Sequence, residues 1–386
     1  MRLLYYSHAF PPQIGGIETF SLRLLEGLLA RDSTKNPLEI TVLTQTPAPE
    51  GWRSPELPVT VVRNPHLLGM WRFVGRSDQV ILAGPALAPL LFSILRGKRV
   101  LVTHHGYQSI CPSGLLFHLA NQKDCPGFFM QRKFGECLRC GRKELSFART
   151  ILRLLLTFPR NLLTRFAFRN VCVSEHLYKT LQLPNSVVIR NAISEISAAQ
   201  SDTTFLRFTT TAPFVYIGRL VVEKGVGVLI KASSLLKKRG CAFQVRIIGD
   251  GPERGALEVL AKTLEVSGEV QFIGFKKGKE LEAILETPCV LVMPSVCQDV
   301  APFAPLEHMI RARPIIASDI GGLSEEVGEA GLKFPPGDAE GLADQMERIL
   351  RDPVLAQRLG NMGRERILER YTSQQMIRGY LDLLHS

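Results

Sequence analysis

An α/β fold of two doubly wound halves follows from three features of this 386-residue chain. Short β-rich runs alternate with helical patterns in both halves, the signature of βαβ units on a parallel sheet. The length exceeds what a single hydrophobic core sustains, so two domains are expected. A polar, Ser/Thr-rich stretch from Ser194 to Thr211 separates the two series. Hydrophobic residues make up 45% of the chain, which keeps it within the ordinary globular range.

The first series starts with Leu3–Ser7, and a helix over Ile17–Ala30 follows it. Strands are expected at Glu39–Leu43, Val59–Val62, Val80–Leu82 and Arg99–Thr103. The second series runs through Phe214–Ile217, Gln244–Ile248, Val270–Ile273, Cys289–Met293 and Pro314–Ala317. Helical patterns lie between these at Val226–Lys238, Gly255–Val266, Lys279–Leu285 and Leu306–Arg311. Arg364–Leu384 reads as one or two amphipathic helices. Ligands of open α/β sheets bind beyond the carboxyl ends of the strands, so the residues leaving each strand are the functional candidates.

Charge is unevenly divided. Residues 1–195 carry 24 Lys+Arg against 12 Asp+Glu, and residues 196–386 carry 23 against 24. The basic field of the first half favours an acidic partner such as an anionic membrane surface or substrate. No apolar run reaches the roughly 18 residues of a spanning helix. The start, MRLLYYSHAFPPQ, reads as a strand entering a loop and not as a signal peptide, so the cytoplasm is the expected location.

Four motifs could carry chemistry. Pro11–Glu18 (PPQIGGIE) follows the first strand and opens a helix, where Gly15 and Gly16 let backbone approach a phosphate. A plain strand-to-helix turn explains it about as well, and the spacing is not G-x-G-x-x-G. Gly218–Gly225 (GRLVVEKG) leaves a strand with Arg219 and Lys224 five apart, a fork of donors and a point charge suited to a diphosphate. Two solvated surface cations are the rival reading. Pro294–Val327 places Asp299 and Glu307 eight apart, one on a loop and one a turn into a helix whose first amides attract anions. Thr103–Tyr107 (THHGY) puts His104 and His105 at a strand's carboxyl end, where a histidine hydrogen-bonds a ligand or serves structure.

The ordered set GRLVVEKG, IIGDGPERGALE, FIGF and PSVCQDVAPFAPLEHMIRARPIIASDIGGLSEEVGEAGLKFPPGD resembles the second domain of family 4 glycosyltransferases. PPQIGGIE, VSEHLYKTL and VIRNAIS resemble the same family earlier in the chain. The resemblance implies a GT-B fold: two Rossmann-like domains facing a cleft, an acceptor-binding domain at 1–195, a nucleotide-sugar-binding domain at 196–365 and a helical tail at 366–386 that packs back on the first. It implies a retaining hexosyltransferase using a nucleoside-diphosphate sugar, UDP- in preference to GDP-, with a glycan or lipid-linked glycan as acceptor. Arg219 and Lys224 match the diphosphate pair, Glu307 the ribose ligand and Asp299 the acid facing the transferred sugar. Gly15 and Gly16 match the turn over the phosphates, and Gly249 and Phe275 lie in nucleotide-side motifs. Phe303, Ala304, Pro305 and Leu306 match a loop whose amides hold sugar and phosphate. The family usually has Glu-Gly-Phe-Gly where this chain has Asp299-Val300-Ala301-Pro302-Phe303. His105 matches a cleft position, with His104 packed against the sheet. No protein nucleophile is implied: the leaving diphosphate helps deprotonate the acceptor while Arg219 and Lys224 absorb charge, so no metal or other cofactor is required for catalysis.

An insertion at about 107–170 carries two further features. Cys111, Cys125, Cys137 and Cys140 end in Cys-Leu-Arg-Cys-Gly, a spacing that suits structural Zn, although the outer spacings are long and irregular. A metal or redox clip and unligated thiols remain equally open, and Cys172, Cys241, Cys289 and Cys297 read as core or inert thiols. From Arg132 to Arg169 there are ten Lys+Arg and two acids, and SFARTILRLLLTFPRNLLTRFAFRN interleaves Leu and Phe with Arg149, Arg153, Arg160, Arg165 and Arg169. This suggests an interfacial helix pair broken at Pro159, peripheral on the inner face of the plasma membrane; an ordinary core-packed helix with a solvated Arg face is the rival. No nucleic-acid-binding module is recognisable. The alternatives to a membrane-associated transferase of polysaccharide synthesis are a soluble transferase with a small acceptor, and an inactive sugar-nucleotide or glycan-binding protein.

Overall fold

A computed structural model describes residues 1–13, 15–30, 38–49, 57–193 and 212–386, so the Ser194–Thr211 junction lies outside the described residues. The chain divides into two compact units. Met1–Asn121, Cys125–Ala192 and Ser373–Ser386 form the first, and Gln122–Asp124 with Ile193–Thr372 form the second.

The first unit is built on a parallel sheet of seven strands: β1 (Arg2–Ser7), β2 (Glu39–Thr44), β3 (Thr60–Arg63), β4 (Gln79–Ala83), β5 (Arg99–His104), β6 (Arg169–Cys172) and β7 (Ser186–Val188). Their order is β3-β2-β1-β4-β5-β6-β7. The central strands are buried along nearly their whole length, as parallel strands covered on both faces must be. Leu4, Leu82, Val100 and Val102 share one core with Met70 and Val74 of α2 (Leu67–Arg76). Helix α1 (Gly16–Ala30) follows β1, and α3 (Leu87–Leu95) follows β4. Beyond β5 come α4 (Phe134–Gly141) and α5 (Phe147–Thr164), and α6 (Glu175–Leu181) joins β6 to β7.

Two differences from the sequence reading appear here. Strand β7 escaped notice because it is only three residues long, and β6 because Asn170 interrupts its apolar pattern. The Asn170 side chain is fully buried and satisfied by the Thr164 and Pro184 carbonyls, both at 2.9 Å, and by His104. Helix α5 runs unbroken through Pro159, where a helix pair was expected. Proline removes one backbone hydrogen bond, but Pro159 and Leu155 both lie on the exposed side, where water reaches the freed carbonyl.

The second unit holds β8 (Phe214–Ile217), β9 (Val245–Ile248), β10 (Val270–Gly274), β11 (Val290–Met293), β12 (Ile315–Ser318) and β13 (Leu332–Phe334). The order β10-β9-β8-β11-β12-β13 is that of a dinucleotide-binding sheet, and every pairing is parallel. Helices α7 (Val226–Lys238), α8 (Arg254–Thr263), α9 (Gly278–Glu286), α10 (Phe303–Met309), α11 (Gly321–Val327) and α12 (Ala339–Arg351) alternate with the strands. Phe214, Tyr216, Val245 and Ile247 face α7 and α12 in one core; Val215, Leu291 and Met293 face α10 and α11 in another. This alternation of faces is the period-2 geometry of a strand.

Helix α13 (Pro353–Arg370) packs in the second unit, where Gly360 lets it meet the Ala312 carbonyl and Arg364 donates to the Ile310 carbonyl. Helix α14 (Ser373–His385) packs in the first. Tyr380 shares a 2.7 Å hydrogen bond with Thr103, and Ile377 fills the space that a side chain at Gly27 would take.

Candidate functional site

In the second unit the strand order reverses between β8 and β11, and the two loops leaving those strands bind each other. The Val296 amide donates to the Glu223 carbonyl at 3.0 Å. Gly225 takes a left-handed conformation, and any Cβ there would lie 1.9 Å from the Pro294 carbonyl oxygen. The next loop closes in the same manner. Gly249 has φ +146°, and a Cβ on it would stand 1.9 Å from the Gly218 carbonyl oxygen. A Cβ on Gly251 would likewise stand 2.3 Å from the Leu220 carbonyl oxygen. Gly225, Gly249 and Gly251 therefore let three loops stack backbone to backbone at the sheet's carboxyl edge.

Across the reversal point lies an ion pair. Lys224 Nζ contacts Asp299 Oδ1 at 2.5 Å, with the side chains 25% and 12% exposed. Ser295 donates to Asp299 Oδ2 at 2.6 Å, and the Gly322 amide donates to the Asp299 carbonyl at 2.6 Å. Burial penalises the Lys224 ammonium, but Asp299 outweighs that cost and its pKa is raised. The sequence reading assigned these two residues to opposite ends of a donor; the structure joins them directly. Arg219 lies exposed on the same loop, its carbonyl accepting from Tyr216 at 2.8 Å.

Helix α10 begins at Phe303, earlier than the expected Leu306, so the stretch expected as an amide-bearing loop is its first turn. The apolar helix pattern begins only at Leu306, which hid the prolines and Phe303 as a helix start. Pro302 opens the turn, Pro305 contributes no N–H, and the amides there belong to Phe303, Ala304 and Leu306. The Pro305 and Leu306 side chains are buried, Phe303 and Ala304 partly so against the core, and Glu307 is half-buried one turn in. Phe275 is exposed just after β10.

Two residues here were not singled out by sequence. Cys297, read as inert, is buried with its sulfur 3.9 Å from Asp299 Oδ1, and burial together with that carboxylate raises its pKa. Glu326 of α11 is 2% exposed, and neither carboxylate oxygen has a hydrogen-bond partner. Burial first, then Glu325 and Asp299, push its pKa well above the usual range. An acidic pair in a short polar-looking helix gave no signal that one member points inward.

In the first unit, Gly16 is the first residue of α1 and the Glu18 carboxylate folds over Gly15. Arg63 donates to the Pro11 carbonyl at 2.8 Å and steadies this turn. His105 packs edge-on against Phe20 of α1 at 4.4 Å, and its Nε2 is buried without a partner. Burial, then the neighbouring His104, lower its pKa to about 3, so the ring is neutral at pH 7. His104 is wholly buried and bonds Asn170 at 2.9 Å. The pair thus divides into one ring held by the sheet and one with an unsatisfied nitrogen. Cys111, Cys125, Cys137 and Cys140 line one cavity within this unit.

Comparison with known proteins bears on the second unit most directly. Residues 203–366 match the family model described as glycosyl transferases group 1. The chain is 34% identical over 147 residues to alpha-D-kanosaminyltransferase of Streptomyces kanamyceticus, covering 38% of each chain. It is 33% identical over 178 residues to the lipopolysaccharide core biosynthesis glycosyltransferase LpsE of Rhizobium meliloti, covering 45% of this chain and 50% of LpsE. The chain thus spans half or less of the length of these curated relatives. Among solved structures it is similar to Anabaena Alr3699/HepE in complex with UDP-glucose, with TM-score 0.70 at 14% identity, covering 100% of this chain and 99% of that one. The fold is GT-B, with two Rossmann-like sheets.

Proposed function

We propose that this chain is a retaining hexosyltransferase that takes its sugar from a nucleoside diphosphate, UDP in preference to GDP, and gives it to a glycan or lipid-linked glycan. The observation that carries this reading is the convergence of three sequence-matched loops on one sheet edge, around the Lys224–Asp299 pair. Arg219 and Lys224 offset charge on the diphosphate, and the first-turn amides of α10 add to that field. Glu307 takes the ribose. Asp299 keeps carboxylate lone pairs beyond those used by Lys224 and Ser295, and these accept from sugar hydroxyls. In the first unit, His105 is a neutral hydrogen-bonding group that gains a partner when a polar ligand arrives. UDP-glucose in HepE and the lipopolysaccharide role in LpsE's name support the donor and acceptor classes.

The test is turnover and binding on a panel of UDP-, GDP- and ADP-sugars. Hydrolysis or transfer with one donor, lost in Glu307→Gln, is expected. Binding without turnover would make the chain a sugar-nucleotide-binding protein, and no binding at all would end the reading.

A second feature supports docking on an anionic membrane. Helix α5 buries Leu154 with Thr150, Thr157 and Thr164, each threonine bonded back to a carbonyl four residues earlier, and exposes Leu152, Leu155, Phe158 and Leu162. Leu67, Leu68 and Leu95 are also exposed on α2 and α3 of the same unit. Exposed leucines flanked by arginines suit an acyl–headgroup boundary better than water. No helix among the described residues is long and apolar enough to cross a membrane.

A further inference from the structure

The four cysteines of the insertion follow C-x13-C-x11-C-x2-C, with the last two on α4 and the others on the irregular chain between β5 and α4. All four line a single cavity of about 30 Å³. That volume has room for one ion or a water or two. Its walls are mostly apolar, with Phe117, Leu119, Phe128 and Leu145 among them. Cys111, Cys125 and Cys140 are buried, Cys137 is half-buried, and none of the four is in a disulfide.

Two other candidate donors line the cavity, an exposed carboxylate, Glu144, and a histidine that is occupied elsewhere. His118 Nε2 lies 3.2 Å from the Glu136 carbonyl and 3.4 Å from its carboxylate, while Nδ1 accepts from the Asn121 amide at 3.2 Å. Four sulfurs, with the Glu144 carboxylate beside them, are therefore the donors the cavity offers. The Leu119 amide already points at Cys140 Sγ, at 3.4 Å, the kind of backbone donor that a thiolate ligand uses. Arg153 of α5 lines the same cavity and places positive charge beside it. Among the described residues no three His, Cys, Asp or Glu side chains stand close enough to hold a metal ion, so a metal site here requires the thiols to move inward around the void.

The segment also has a reason to be stapled. Between β5 and α5 the one long regular element is the eight-residue α4, too little for a self-supporting core. Helix α4 packs closely on α5, where a Cβ on Gly141 would lie 2.6 Å from Thr150 Cγ2. We propose that Cys111, Cys125, Cys137 and Cys140 bind one Zn²⁺ as a tetrathiolate that fastens this segment to α5. Each thiol gives up its proton on ligation, and the resulting dianion faces Arg153. The site is independent of the transferase reading, and either can fail alone.

Metal analysis of the full chain, purified without chelator, tests it. One zinc per chain is expected in the wild type and in a Cys241→Ser control, and none in Cys137→Ser/Cys140→Ser. Cobalt exchanged for zinc should give tetrahedral cobalt–thiolate absorption, and stripping the metal should speed proteolytic cutting between His105 and Ser146. Metal-free wild type in which all eight cysteines react with a thiol reagent overturns the proposal. So does a disulfide mapped among the four, or iron in place of zinc. If the double variant does not fold, the wild-type metal count and cobalt spectrum decide.

Discussion

Substitution of Lys224 and Asp299, singly and together, separates two pictures of the donor site. If the residues serve distinct ends of the donor, their effects on the free protein's stability add. If they hold the loops after β8 and β11 together, the effects overlap. The contact is 2.5 Å long and joins side chains that are 25% and 12% exposed, between a surface pair and a fully buried one. Surface pairs contribute about 0–1 kcal/mol, and breaking a buried pair costs about 3–5 kcal/mol. A loss of about 2 kcal/mol is expected for Lys224→Met or Asp299→Asn, because each leaves a partly desolvated charge unpaired. In a unit of this size that lowers the melting temperature by about 4–8 °C. The double variant removes both charges and should cost little more than either single, giving a coupling of about 1.5–2 kcal/mol. Thermal unfolding of the ligand-free protein measures this. Additivity within about 0.5 kcal/mol would refute the argument.

Other outcomes follow from the same structure. Gly249→Ala should unfold the second unit or cost several kcal/mol, since its Cβ would strike the Gly218 carbonyl at 1.9 Å; circular dichroism against temperature shows this. Buried, neutral His105 binds a proton only near pH 3 when folded but near 6.5 when unfolded, so its stabilisation is present above pH 6.5 and is lost as pH falls toward 3. His105→Gln should flatten the pH-dependent loss of melting temperature by up to one proton's worth, about 1.4 kcal/mol per pH unit. Glu326 has the opposite sign: its raised pKa means that stability is fully present below the ordinary carboxylate range and lost as pH rises. Glu326→Gln should therefore raise the melting temperature at pH 8 and leave it unchanged at pH 4. Anionic vesicles should float the wild type but not Leu152→Ser/Leu155→Ser/Phe158→Ser, with melting temperature checked alongside. Arg160 is better left intact, because it is partly buried and donates to the Pro85 carbonyl at 3.1 Å.

Much of the fold was legible because parallel strands buried on both faces leave continuous apolar runs. Phe214–Ile217 and Val226–Lys238 coincide with an observed strand and helix to the residue. Strands β7 and β13 were not legible, since three residues carry no periodicity, and in β6 Asn170 breaks the apolar run and hides its burial behind side-chain hydrogen bonds. Helix α5 shows the limit differently. Its pattern of Leu and Arg announced an amphipathic helix but not which stripe faces inward, and threonines bonded to their own backbone can be buried where leucines are left out.

The candidate site divides along the same line. Residue order alone placed Arg219, Lys224, Asp299 and Glu307 after strands or at a helix start, because a parallel sheet brings every such position to one edge. Pairing across the sheet order is a long-range matter. Lys224 meets Asp299 because β8 and β11 are neighbours despite the two strands between them in sequence, and Gly225 lets their loops touch. The unpaired Glu326 carboxylate, the orphaned Nε2 of His105 and the four thiols lining one cavity depend likewise on what packs against them. Local periodicity encodes the elements; burial and partnership are properties of the packed chain.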